Sequence, residues 1–128
     1  MRPEAELWWT QAKRDFRTAR NCHASRDFYA AVFFCQQSVE KALKAAVVEL
    51  ARQLPPRTHN LLELGDRLRV PRRIRGFLMD LTPEYVVTRY PDAAGGPIDA
   101  LYDGHVSRKV LTRTQEVMQW VGPRLRRR

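Results

Sequence analysis

Arg89-Tyr90-Pro91-Asp92 combines residue types suited to a nucleic acid. An arginine presents a fork of donors to a phosphate, and a tyrosine face takes the stacked ring of a base. Asp92 opens another use, an Arg–Asp bridge that pins the segment across the molecule. A second polar set, Gln37, Lys41 and Lys44, recurs at i, i+4 and i+7, so the three share one helical stripe that can meet the phosphates of a nucleotide. The plain alternative is a solvated face opposite the core, with Glu40 and Lys44 as an ordinary i, i+4 surface pair. His23 and His105 read as surface residues. Gly95-Gly96 has neither a preceding strand nor a suitably placed lysine, so it is not a phosphate-binding loop. Cys22 and Cys35 fall on separate helices without metal-ligand spacing and read as buried thiols.

These side chains need helices to hold them. The longest spans Ser25 to Leu54, with apolar or small residues at Phe28, Val32, Cys35, Val39, Ala42, Ala46 and Leu50 keeping one face inward. Phe33, Leu43 and Val47 broaden that stripe, so the helix is buried along most of its length. Ser25 is its expected N-cap and Pro55-Pro56 its expected terminator. Before it, Pro3 opens a helix running to about His23, with Leu7, Trp8, Ala12, Phe16, Ala19 and Cys22 on its inner face. Trp9 lies about 100° from Trp8, more than one intramolecular seam covers, which leaves one ring for a subunit contact or partial exposure. The short turn at Ala24-Ser25 makes the two helices an antiparallel hairpin.

Beyond the prolines, Thr58 or Asn60 caps a third helix with Leu61, Leu64 and Leu68 inward, and Glu63 completes a capping-box pattern with Asn60. Pro71 closes it. Arg72 to Leu81 forms a fourth, with Ile74, Phe77, Leu78 and Leu81 inward, and Arg67, Arg69, Arg72, Arg73 and Arg75 gather at the joint, as a phosphate footprint or a solvated surface. Thr82 to Tyr102 carries prolines, paired glycines and Asp92 and is not a continuous helix. Asp103 caps the last helix, which runs to Val121 on Val106, Val110, Val117 and Val121 and stops at Gly122-Pro123, leaving a basic tail over 123–128. The whole predicts an all-α, antiparallel up-and-down bundle of four main helices plus a short one, a single domain over residues 1–128.

A chain of 128 residues with a formal charge of +9 favours anionic partners, and 19 arginines against 4 lysines favour phosphate, although an arginine-rich proteome produces the same bias. The polar start MRPEAE and the lack of a long apolar run predict a cytoplasmic soluble protein without a membrane span.

Taken in order, an early tryptophan with apolar spacing (Trp8, Phe16, Ala19), FYAAVFFCQQSVEKALKA, P-x-THNL, TRYPD and a tyrosine opening the last helix resemble the HEPN family, the nucleotide-binding domain shared by higher eukaryotes and prokaryotes. CQQSVEKALKA (Cys35 to Ala45), THNL (Thr58 to Leu61) and TRYPD (Thr88 to Asp92) carry the likeness together, over nearly the whole chain. The resemblance implies an antiparallel helical bundle, commonly a homodimer, that binds nucleotide or RNA and needs no cofactor. It also implies a minimal nucleotidyltransferase as partner, some such pairs acting as toxin and antitoxin.

Several branches of the family are metal-independent ribonucleases that use an arginine followed after a short interval by a histidine. By that resemblance Arg52 and His59, with six residues between them, form the candidate pair, His59 as acid–base and Arg52 steadying the cleaved phosphate. Here the pair straddles a helix end instead of opening the last helix, and a histidine in a T-H-N-L turn also serves as a packing residue. A binding module and an endoribonuclease toxin are therefore the two functions to separate.

Overall fold

A computed structural model of the protein describes residues 1–126, and the last arginines of the basic tail, Arg127 and Arg128, fall outside the described residues. Helix α1 spans Pro3–Ala24, α2 Phe28–Leu50, α3 Leu61–Leu68, α4 Arg72–Leu81, α5 Glu84–Val87, α6 Pro91–Ala94 and α7 Gly104–Arg126, with a 3-10 turn at Ile98–Leu101. No strand occurs among the described residues.

α1 and α2 form the expected antiparallel hairpin. Ala5, Ala12 and Ala19, every seventh residue and each fully buried, give α1 a flat seam that lets the two backbones approach. Polar ties fix the register: Arg2 N–H donates to Glu49 Oε1 (2.7 Å), Ser38 Oγ to the Ala12 carbonyl (2.8 Å), and Lys41 Nζ pairs with Asp15 (2.7 Å). That seam is rotated from the expected one. Trp9 faces the core at 7% exposure, whereas Trp8 is half-buried and Leu7 is 74% exposed. The alanine seam sets the rotation, and Gly122 of α7 leaves room for the Trp9 ring, which a Cβ there would approach to 3.2 Å.

α2 is shorter than expected, Phe28–Leu50 instead of Ser25 to Leu54. Ser25 closes α1, and Asp27 precedes α2 without a side-chain capping bond. At the other end Pro55-Pro56 is not the terminator. Arg52 turns to φ +55° four residues after Val48, and the left-handed step ends the helix before the prolines are reached. α2 is also buried on nearly every side. Glu40 and Lys44, expected as a surface pair, are 5% and 6% exposed, because α1 and the segment before α3 cover the face opposite the core.

Asn60 caps α3 as expected, its side chain accepting from the Leu62 and Glu63 amides (3.0 and 3.4 Å). The box is half-formed, since the Asn60 amide donates to Thr58 Oγ1 (3.0 Å) and Glu63 turns to Arg67. Arg69 at φ +54°, not Pro71, ends α3, and Pro71 stands at the start of α4. A Cβ at Gly65 would lie 2.5 Å from Leu78 Cδ1, so any larger residue there displaces that buried side chain. α4 has the expected bounds and inward residues. Between Thr82 and Tyr102 the chain makes two one-turn helices and the 3-10 turn, never a continuous helix.

Asp103 Oδ1 accepts the Val106 amide (2.8 Å) and starts α7 as expected. The helix does not stop at Gly122-Pro123. A proline so near the end removes a single intrahelical bond. Leu125, 1% exposed, holds the extra turn, and Arg124 donates to the Trp120 carbonyl (2.8 Å). Val106 and Val110 are half-buried, and the inner face is carried by Ser107, Thr114, Val117, Met118, Val121 and Leu125. His23, expected at the surface, bonds Ser107 Oγ through Nδ1 (2.8 Å). Cys35 is buried and burial pushes its thiol up to about 12, whereas Cys22 is only half-buried.

Candidate functional site

The polar face of α2 carries a continuous chain of hydrogen bonds. Gln11 and Lys41 converge on Asp15 (2.9 and 2.7 Å), Lys41 also donates to Gln37 Oε1 (3.3 Å), and Gln37 donates to Gln36 Oε1 (2.6 Å). Gln36 in turn donates to Glu40 Oε1 (3.2 Å), whose other oxygen takes Lys44 Nζ (3.0 Å). Lys44 also sits 5.3 Å from the Trp8 ring, which supplies the half-buried Trp8 with an intramolecular partner.

His59 joins this chain from the loop before α3. Its Nδ1 lies 2.9 Å from Glu40 Oε1. A carboxylate can only accept, so Nδ1 carries a proton, and the side chain, 51% exposed, leaves Nε2 free of protein partners among the described residues. The ring stacks on Tyr85, centroids 3.7 Å apart and 13° from parallel. Tyr85 is placed by α5, which Thr82 ties to α3: the Thr82 hydroxyl accepts the Leu61 amide (3.2 Å) and donates to the Leu78 carbonyl (2.7 Å). Glu84 holds α5 from its far side through the Tyr102 hydroxyl. Burial raises both groups, the Glu84 carboxyl above the usual carboxylate range and the Tyr102 hydroxyl above that of a free tyrosine.

Arg89 completes the cluster. Its guanidinium is 4.6 Å from the Tyr85 ring, 5.8 Å from Phe33 and 5.9 Å from Tyr90. Among the described residues no carboxylate pairs with it, so the Arg89–Asp92 bridge is not made. Tyr90 is 49% exposed and Asp92 is exposed beside it.

The expected site residues therefore divide. Gln37, Lys41, Lys44, His59 and Arg89 belong to one connected cluster, with Tyr90 at its edge. Arg52 lies outside it: exposed, in the left-handed conformation, and joined to His59 by no hydrogen bond or ring contact among the described residues. Gln36, Glu40 and Tyr85 are members that spacing did not single out. The i, i+4 pair Gln36–Glu40 was the available signal, masked by the reading of Glu40 as a surface partner of Lys44.

The arginines of the α3–α4 joint are mostly neutralised. Arg73 grips Glu116 through two bonds (3.0 and 2.9 Å), Arg75 grips Asp66 (2.9 and 3.3 Å), and Arg67 reaches Gln53 and Glu63 (2.9 and 3.6 Å). Hydrogen bonds from Arg75 and Arg73 hold the Asp66 and Glu116 carboxyls below their usual range.

The HEPN domain model matches residues 5–125. The fold is similar to that of TT1696 from Thermus thermophilus, with 29% identity, a TM-score of 0.84, and coverage of 95% of this chain and 98% of that one. It is likewise similar to ST0689, an archaeal HEPN homologue, with 25% identity, a TM-score of 0.82, and coverage of 94% and 97%. No curated protein matches the chain.

Proposed function

The chain belongs to the HEPN domain family, and from that premise we propose that it is a nucleotide- or RNA-binding subunit, acting as a homodimer beside a minimal nucleotidyltransferase in a toxin–antitoxin-like module. The family supports the nucleotide- or RNA-related role. The observation that carries it to a site is the unneutralised Arg89 guanidinium, held among Phe33, Tyr85 and Tyr90, with the His59 ring stacked on the same Tyr85. One unpaired cation and one exposed ring suit a phosphate and an adjoining base. Among the described residues no helix is long and apolar enough to cross a membrane.

The test is binding of a generic single-stranded RNA across a salt series. Affinity falls steeply with salt, the slope being about −0.7 per phosphate neutralised. Binding absent at low salt, or flat with salt, overturns the reading. For the dimer, the 74% exposed Leu7 beside Trp8 on α1 is the supporting feature. Sedimentation at micromolar concentration giving only the 15.0 kDa species rules it out.

A second reading, a metal-independent ribonuclease using Arg52 and His59, draws its support from the Glu40–His59 bond, which fixes an imidazole tautomer fit for proton transfer. It requires RNA cleavage that His59→Ala and Arg52→Ala each abolish. Wild-type protein that leaves RNA intact dismisses it.

A further inference from the structure

α1 and α7 both pack on α2 and touch each other only lightly, and between them lies an open groove of about 510 Å³. Its α1 wall is Trp9, Lys13 and Phe16, on the side of that helix opposite the exposed Leu7. The floor is apolar and the rim is cationic. No carboxylate among the described residues lines it.

Trp9, Phe16 and Met118 make the floor, each less than a tenth exposed. Gly122 keeps it open, since a Cβ there would come within 3.2 Å of both the Trp9 ring and Arg126 Nη1. The Met118 thioether side chain adapts to the shape of whatever apolar group is seated against it.

The cations stand directly against this floor. Lys13 Nζ is 5.8 Å from the Trp9 centroid, and beside the groove the Arg20 guanidinium is 4.9 Å from that of Phe16. With Arg126 they make three positive charges, and none of the three has an ion pair among the described residues. Gln115 and Gln119, one turn apart on α7, expose two carboxamides on the same rim, each able to donate and to accept.

We propose that the α1–α7 groove docks an acidic peptide segment of another protein, one apolar side chain seated over Trp9, Met118 and Gly122 and flanking carboxylates paired with Lys13 and Arg126. The two glutamines serve the peptide backbone between those anchors. Charge complementarity selects this occupant, and the apolar floor supplies the anchor site at its centre. A second copy docked through the same face sets the same unpaired cations against one another. A nucleic acid gains less here, because Trp9 and Phe16 are nearly buried with a cation over each ring and offer no face to a base. The proposal stands apart from the RNA reading and from the Arg89 cluster.

The test is fluorescence anisotropy of the full chain with a short labelled peptide of glutamate and alanine around one central leucine. The peptide binds, its affinity falls with added salt, and replacing the leucine by alanine weakens it about tenfold. The leucine is the discriminating part, since a chain of charge +9 attracts any acidic peptide to some extent. Lys13→Glu with Arg126→Glu alters only exposed side chains, and far-ultraviolet circular dichroism checks that its helices match those of wild type. This reversed variant loses the glutamate peptide and prefers a lysine peptide around the same leucine. Equal binding of the leucine and alanine peptides, or a folded reversed variant that binds as wild type does, overturns the proposal. Displacement of the peptide from Arg89→Ala protein by a short single-stranded RNA assigns the groove to RNA and overturns it as well.

Discussion

The imidazole of His59 lies flat on the phenol ring of Tyr85, centroids 3.7 Å apart. The contact joins the loop before α3 to helix α5, and its consequence is orientation. With Nδ1 turned inward to Glu40 at 2.9 Å, stacking leaves the ring one freedom fewer, and Arg89 rests on the same phenol ring at 4.6 Å. Tyr85 thereby couples the histidine to the arginine without a direct bond between them.

Glu40→Ala is expected to destabilise the fold by about 3–5 kcal/mol, because it leaves Lys44 buried without its counter-charge. Glu40→Gln keeps a hydrogen-bonding oxygen and costs less. Urea unfolding of both variants measures the difference. A Glu40→Ala protein as stable as wild type would mean that the pair is solvated, as the sequence pattern first suggests.

Acid should loosen α4 from its neighbours α7 and α3. The Glu116 carboxyl, bonded by Arg73, and the Asp66 carboxyl, bonded by Arg75, both titrate below their ordinary values in the folded protein. A lowered folded pKa means stability that is present above the unfolded value, about pH 4, and lost as pH falls through the folded one. Glu84 has the opposite sign: its raised carboxyl favours the folded state at low pH, and that contribution disappears as pH rises through the folded value. Urea midpoints for Glu116→Gln should therefore fall less steeply in acid than those of wild type. Those for Glu84→Gln should lose less on going from acid to neutral pH. The surface pairs are exposed, so added salt should shrink the Glu116 effect.

Helix existence was legible in the sequence wherever apolar spacing or a side-chain cap decides it. Asn60, Asp103 and the bounds of α4 follow from such local signals. Three features were not legible because the deciding neighbour is remote. Trp9 faces inward because Gly122 makes room for it, Glu40 is buried because His59 and α1 cover it, and α7 continues past Pro123 because Leu125 finds the core. Arg52 and Arg69 ended helices in place of the prolines expected there, since arginine in the left-handed region gives no sequence signal of a stop. For the site, Gln37, Lys41, Lys44, His59 and Arg89 were found as separate sets. Tyr85, which links two of them, was hidden inside the apolar run of α5.

Arg52→Gly separates backbone from side chain at the end of α2. Glycine removes a left-handed penalty of about 1 kcal/mol, offset by the lost attraction of a cation to the helix C-terminus and by a more flexible unfolded chain. Stability is expected to stay within about 1 kcal/mol of wild type, whereas the β-branched Arg52→Val loses that much or more. Because the glycine variant stays folded, any change in its RNA binding or cleavage reports on the guanidinium. RNA binding unchanged in Arg52→Gly agrees with the position of Arg52 outside the Glu40–His59–Arg89 cluster.

Arg89→Ala and Tyr90→Ala should weaken RNA binding in distinguishable ways. Arg89 makes no ion pair, so its removal leaves no carboxylate stranded and costs little stability. Its loss reduces affinity at low salt and flattens the salt dependence by about one counterion's worth. Tyr90 contributes a ring, so Tyr90→Ala lowers affinity by about 1–3 kcal/mol if a base stacks there, with the salt slope unchanged. Arg89→Lys keeps the charge but not the planar fork, and should recover the slope without full affinity. Fluorescence anisotropy with a short single-stranded RNA across a salt series separates the three variants. Arg89→Ala binding as tightly and with the same slope as wild type would remove this face of the protein from RNA recognition and leave other arginines, Arg69 and Arg72 at the α3–α4 joint among them, to account for any affinity.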